Sequence, residues 1–131
     1  MKRPIESLKQ LTYSYGVKIF HNPRCSKSRK TMDLLVENGV KPTVVEYLQE
    51  TPTVAELEEV FSKLGKKPQQ MIRFKESVAA ELGINADDQR SAAEWLELIQ
   101  ANPVLLERPI VVSGDRAVVG RPPENVLDLI G

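Results

Sequence analysis

Apolar residues change their spacing along this chain in a regular order, and the changes mark its elements. Val17 to Phe20 is a short β-prone run, broken by His21-Asn22-Pro23. From Ser26 to Asn38 the period lengthens. Met32, Leu35 and Val36 fall at i, i+3, i+4, and Gly39 stands where a left-handed C-cap belongs. Thr43 to Tyr47 returns to strand spacing. Thr51-Pro52-Thr53-Val54-Ala55-Glu56 predicts a capping box with a proline in the first turn. Val54, Leu57, Phe61 and Leu64 then make one apolar helix face, ended by Gly65. From Lys66 to Glu107 the chain reads as all helical. Val78 and Leu82 mark one face before Gly83, and Ser91 with Glu94 forms a second capping box ahead of Trp95, Leu98 and Ile99. Asn102-Pro103 closes that helix. Strands return at Ile110 to Ser113 and Ala117 to Val119, joined by a tight turn at Gly114-Asp115, and Pro122-Pro123 opens a last helix, Glu124 to Ile130.

The order is therefore β-α-β-α, a helical insert, a β-hairpin and a final α. A strand-helix-strand unit predicts a parallel pair, and the hairpin must add antiparallel strands to the same sheet. A mixed four-stranded sheet follows, with helices Ser26 to Asn38 and Glu124 to Ile130 covering its faces. This is the outline of an α/β, thioredoxin-like fold with a helical insertion. Residues 17–131 form that domain, with the insert at about 66–107, and residues 1–16 read as an N-terminal appendage with a short helix around Ile5 to Leu11.

Composition narrows the function. Lys plus Arg number 18 and Asp plus Glu number 18, so the formal net charge is zero. A nucleic-acid or anionic-membrane surface would show a basic excess, so neither partner is expected. No apolar run approaches the ~20 residues needed to span a bilayer, and polar Glu6, Lys9 and Gln10 interrupt the first segment, unlike a signal peptide. With a single cysteine there is no disulfide framework. A cytoplasmic monomer is expected, without a metal site or a bound cofactor.

That cysteine stands in His21-Asn22-Pro23-Arg24-Cys25-Ser26-Lys27-Ser28-Arg29, where a strand ends, a proline turn follows and a helix begins. The first N–H groups of a helix lack internal partners and carry the positive end of its dipole. Both favour a thiolate, as do Arg24, Lys27 and Arg29 if they fold back. Free cysteine is often a core residue, but the cationic neighbours fit that reading poorly. Arg29 lies one turn beyond Cys25 on the same face, and either helps bind an anion at the sulfur or is a solvated helix arginine. His21 either donates to the thiolate or caps the loop. The spacing is C-x-x-S, not the C-x-x-C of a dithiol oxidoreductase, so any redox cycle at Cys25 must borrow an external thiol.

Arg73, Arg108 and Arg121 occupy loop-like positions. Their planar forks suit a tetrahedral oxyanion, although pattern alone reads each first as a solvated surface charge. Arg108 directly precedes Pro109, and a cis bond there would bring its loop beside the Cys25 turn.

At these residues the chain resembles the ArsC-type, glutaredoxin-coupled arsenate reductases, in a subgroup marked by the His-Asn-Pro-Arg-Cys-Ser-Lys-Ser motif at residues 21–28. The resemblance spans about Val17 to Gly131. It rests on His21-x-x-x-Cys25-x-x-x-Arg29, on Glu107-Arg108-Pro109-Ile110-Val111-Val112 and on Gly120-Arg121-Pro122-Pro123. It implies Cys25 as nucleophile, Arg73, Arg108 and Arg121 as oxyanion-binding groups, and His21 and Arg29 in support. It implies further that arsenate is the small oxyanion substrate, glutathione the co-substrate and glutaredoxin the protein partner. Two other functions fit the same residues. One is a non-catalytic, Spx-like regulator with Cys25 as a redox sensor. The other is a monothiol, glutathione-linked oxidoreductase. Arg108 and Arg121 favour the oxyanion reductase, since a docking module has no need of an oxyanion clamp.

Overall fold

A computed structural model describes residues 16–130. The expected appendage and its helix at Ile5 to Leu11 lie outside the described residues. The described residues divide into two compact units, an α/β unit (16–46 with 108–130) and a helical unit (Tyr47–Glu107).

The α/β unit is built on four strands, β1 (Val17–Phe20), β2 (Thr43–Val45), β3 (Ile110–Ser113) and β4 (Arg116–Val119), in the order β2-β1-β3-β4. β1 pairs parallel with β2 and antiparallel with β3, which pairs antiparallel with β4. This is the expected mixed sheet. The β3–β4 turn has Gly114 first, at φ +60°, and no positive φ at Asp115. That is the II′ pattern, whose twist matches the strands it joins. Strand alternation aims Val17 and Ile19 to one face, and Val111 lies opposite Ile19 on that face. Helix α1 (Ser26–Glu37) meets them with Leu35, and the C-terminal helix α5 (Val126–Ile130) does so with Val126 and Leu129. Both helices therefore cover the same face, where one on each face was expected. Their apolar stripes share one core of Val17, Ile19, Leu35, Val40, Val111, Val126 and Leu129.

The helical unit begins at Tyr47. It takes in α2 (Val54–Leu64), which packs with α4 (Ala92–Ala101), and α3 (Ser77–Leu82) lies between them in sequence. Both predicted capping boxes form: Thr53 and Glu56 exchange hydrogen bonds of 3.1 Å each, and Ser91 and Glu94 bonds of 3.0 and 3.2 Å. Pro52 precedes the Thr53 N-cap, so it lies outside the helix and not in its first turn. The segment from Lys66 to Glu107 is less helical than its pattern. Pro68 and Pro103 each start a single 3₁₀ turn, and Ile72 bridges Leu106 antiparallel. A proline lacks the N–H that would continue a helix. Leu82 is exposed, and Ala79 is the residue α3 buries. Trp95 is buried, with Phe74 edge-on at 5.8 Å between centroids and the Arg90 guanidinium 5.6 Å from its ring. Among the described residues no helix is long and apolar enough to cross a membrane.

Candidate active site

One row of the sheet gathers the chemistry of the α/β unit. Phe20 at the end of β1 is opposite Ile110 at the start of β3, and Ile110 is opposite Val119 at the end of β4. The segments leaving that row are His21 to Cys25, Arg108-Pro109 and Gly120-Arg121-Pro122. Register thus converges three stretches that are remote in sequence. The Arg108–Pro109 peptide is cis, and so is Arg121–Pro122.

The first segment turns tightly. The His21 N–H extends the parallel ladder to the Val45 carbonyl at 2.8 Å. The Asn22 side chain accepts from the Arg24 N–H at 3.0 Å, an Asx turn, and the Cys25 N–H closes back on the Asn22 carbonyl at 3.0 Å. Cys25 is the N-cap of α1, with extended φ −94° and ψ 124°, and its carbonyl accepts the first helical bond from Arg29 at 3.0 Å. Its side chain is largely buried beside the orphan N–H groups of the first turn. Burial pushes the thiol up. Against it act the Ser28 backbone N–H, the Arg108 charge, the Lys27 backbone N–H and the Arg121 charge, and the net result lies below the ordinary thiol value.

Arg121 reaches Cys25 directly, with Nη2 3.9 Å from Sγ, while its Nε donates to the Arg108 carbonyl at 2.8 Å. The Asn125 amide donates to the Val119 and Arg121 carbonyls at 3.2 and 3.1 Å, and the Gly120 N–H donates to the Pro109 carbonyl at 2.9 Å. The two arginine-proline segments are therefore tied to each other as well as to the sheet.

His21 points to Ser28, not to a loop carbonyl. Its Nδ1 lies 2.6 Å from Ser28 Oγ, which also accepts from the Asn22 N–H at 3.0 Å. Burial lowers the imidazole pKa, Glu46 raises it and Arg29 lowers it, for a net shift downward. A neutral ring that accepts the Ser28 hydroxyl proton at Nδ1 satisfies every group in this network. Arg29 donates to the Pro23 carbonyl at 3.0 Å and braces the turn. Arg73 belongs to the helical unit, where its guanidinium pairs with Glu76 and donates to the Val104 carbonyl at 3.4 Å.

Three residues here were given no role from sequence. Ser28, read only as the absence of a second cysteine, supplies a backbone N–H to Cys25 and a hydroxyl to His21. Asn125 and Gly120 hold the Arg121 segment. A small residue before Arg121 and an amide four residues after it were visible signals, but neither has meaning without the register.

The residues around this arrangement match known proteins over most of the chain. The model of the ArsC family matches residues 20–129. An arsenate reductase of Neisseria meningitidis serogroup A is 46% identical over 111 residues, covering 84% of this chain and 94% of that one. An uncharacterized protein of Escherichia coli K12 is 47% identical over 116 residues, covering 88% and 97%. Among solved structures, an arsenate reductase from Vibrio cholerae superposes with a TM-score of 0.81 at 43% identity, covering 86% of this chain and 95% of that one.

Proposed function

This chain belongs to the ArsC family, and from that premise we propose that it is an arsenate reductase with Cys25 as nucleophile and glutathione as co-substrate. The observation that carries the reading is the pairing of a thiol favoured as thiolate with a guanidinium 3.9 Å from it. Relatives of similar length bear the name arsenate reductase.

In this reading Arg121 and Arg108 hold the arsenate oxygens, since planar N–H pairs match adjacent oxyanion oxygens and neutralise their charge. The Cys25 thiolate attacks arsenic, and one arsenate oxygen leaves as water after protonation. The S–As(V) adduct keeps its negative oxygens in the field of the α1 N-terminus and both arginines. A glutathione thiolate then attacks Cys25 Sγ. The S–S bond forms, and the electron pair of the S–As bond stays on arsenic, which departs as arsenite. A glutaredoxin thiolate takes the glutathionyl sulfur and restores Cys25. The external thiol is needed because the sequence contains no second cysteine. Arg73, held by Glu76, is not needed for this assignment.

The test is NADPH oxidation in a coupled system of glutathione reductase, glutathione and glutaredoxin, with arsenate added or omitted. Arsenate-dependent turnover that vanishes without glutathione supports the reading. Absence of turnover, with a stable Cys25–glutathione adduct after mild oxidation, removes it in favour of a redox sensor.

A further inference from the structure

Gly120 is buried, and it is not among the glycines of positive φ. Its backbone is open to any residue, so the reason for glycine there is space. A Cβ at this position would meet Thr31 Oγ1 well inside van der Waals contact, with Pro109 Cγ at 2.8 Å and Thr31 Cγ2 at 3.1 Å. Thr31 has no room to yield. It is fully buried on α1, and its hydroxyl donates to the Lys27 carbonyl at 2.8 Å. Pro109 is held from the other side, its carbonyl accepting the Gly120 N–H at 2.9 Å. Gly120 is thus wedged between the helix that carries Cys25 and the turn that carries Arg108, one residue before Arg121.

We infer that Gly120 is a positioning residue: its missing side chain lets the β4–α5 segment lie on α1 closely enough for Arg121 to reach Cys25. The inference rests on the oxyanion-reductase reading for its purpose, but its mechanism is steric. Arg121 is an exposed residue, and what holds its guanidinium over the sulfur is the Nε bond to the Arg108 carbonyl. That bond needs the backbone on either side in place, through Gly120 on Pro109 and Asn125 on the Val119 and Arg121 carbonyls. A methyl at 120 lifts this backbone off Thr31 and moves the guanidinium away from Sγ.

The experiment is a cycle of Gly120→Ala and Arg121→Ala, read by two measurements on folded protein. One is the pH profile of Cys25 alkylation by iodoacetamide, which requires no turnover. The other is protection of Cys25 from alkylation by arsenate or sulfate. Gly120→Ala should move the alkylation inflection upward and weaken protection several-fold, toward the Arg121→Ala value. In the Arg121→Ala background it should add nothing to either readout, because sites that act through one group are non-additive. Thr31→Ala, which removes two of the three contacts, should restore part of the loss. A glycine needed only for stability would lower the melting temperature and leave both readouts in place. Wild-type readouts in Gly120→Ala, or an effect that adds fully to Arg121→Ala, overturns the inference. Should Gly120→Ala not accumulate as folded protein, the Thr31→Ala/Gly120→Ala pair carries the same cycle and is judged by the same additivity. Failure of arsenate turnover would sink the reductase reading and leave the alkylation profile able to decide this one.

Discussion

The two units of this chain are organised in opposite ways. By sequence the described α/β unit has nine Lys or Arg and six Asp or Glu, whereas the helical unit has six and eleven. The only cysteine and the only histidine both fall in the α/β unit. The zero net charge of the chain therefore hides a basic unit and an acidic one. The α/β unit joins residues far apart in sequence: Arg121 meets Cys25 across 96 positions, through the row Phe20, Ile110 and Val119. Beside the Ile72–Leu106 bridge and the Arg73 bond to the Val104 carbonyl, the helical unit relies on local devices: two capping boxes three residues wide, the Glu59–Lys63 pair one helical turn apart and the Arg73–Glu76 pair across a turn. A site that must hold an anion against a thiolate needs several cations in fixed geometry, and sheet register supplies that geometry where a single helix does not.

If the chemistry belongs to the α/β unit, the largest effect must come from its nucleophile. Cys25→Ser should reduce arsenate turnover to background with the fold retained, since a serine hydroxyl is nearly isosteric but stays protonated at neutral pH. Circular dichroism and the coupled assay together check this. Residual turnover above a few per cent would mean another group attacks the substrate, and the division between the units would fail.

Arg121→Ala and Arg108→Ala come next. Losing a charge-assisted contact costs ~1.5–3 kcal/mol, about ten- to a hundredfold in anion affinity. Arg73→Ala sharpens the comparison. With its charge already committed to Glu76, it should change arsenate affinity much less and melting temperature more. Titration calorimetry with arsenate separates the three variants. An Arg73→Ala loss equal to that of Arg121→Ala would bring the helical unit into the anion site.

The difference between the units also explains what could be read from sequence. The parallel β1–β2 pair and the β3–β4 hairpin were legible because a single helix between Phe20 and Thr43 predicts the first and a two-residue Gly114-Asp115 turn the second; the order β2-β1-β3-β4 was not. The Cys25 position was legible because its turn and helix are local. The face covered by α5 was not, since five residues of helix fit either side of a sheet by pattern alone. Arg121 was indistinguishable from a solvated arginine until the resemblance singled it out, and Arg108 had only the following Pro109 as a clue, because no local signal encodes the row of strand ends that gathers them. Gly120 was named in its motif, but its role was hidden for a different reason. Sequence shows where a positive φ suits glycine, but not where Thr31 leaves no room for a methyl. In the helical unit, periodicity overstated the helix from Lys66 to Glu107 because apolar spacing survives through the 3₁₀ turns at Pro68 and Pro103.

A smaller effect tests the α/β unit through stability. The Cys25 pKa is lowered in the folded protein, by the first-turn N–H groups and two arginines acting against burial. Folding therefore favours the thiolate. The contribution is fully present above the unfolded thiol pKa, about 8.5, and is lost as pH falls through the folded value. The wild type should gain stability relative to Cys25→Ser as pH rises from 6 toward 9, seen by urea denaturation at several pH values. In Arg121→Ala that gain should shrink. A pH-independent difference between wild type and Cys25→Ser would show that the thiolate is not stabilised by the fold.

The smallest effect on the chemistry should come from the caps of the helical unit, and that is their use. Thr53 and Ser91 each accept from the backbone N–H three residues on, and Glu56 and Glu94 return the bond. Replacing either N-cap by Ala costs about 1 kcal/mol of stability, enough to lower the melting temperature by a few degrees. The exposed Glu94 carboxyl adds a pH signature. Hydrogen bonds from the Ser91 backbone and side chain hold its pKa below the usual range. Its contribution is present above the unfolded glutamate value and disappears as pH falls through the folded one. Ser91→Ala keeps the backbone N–H and removes only the hydroxyl, so it should lose part, not all, of that acid-side contribution. Both caps belong to the helical unit, so the Cys25 alkylation profile and arsenate affinity should match the wild type in Thr53→Ala and Ser91→Ala. A cap variant that shifts the Cys25 inflection would show that helical order in the acidic unit sets the thiol's field. The separation between a unit that holds the chemistry and a unit built on local devices would then have to be abandoned.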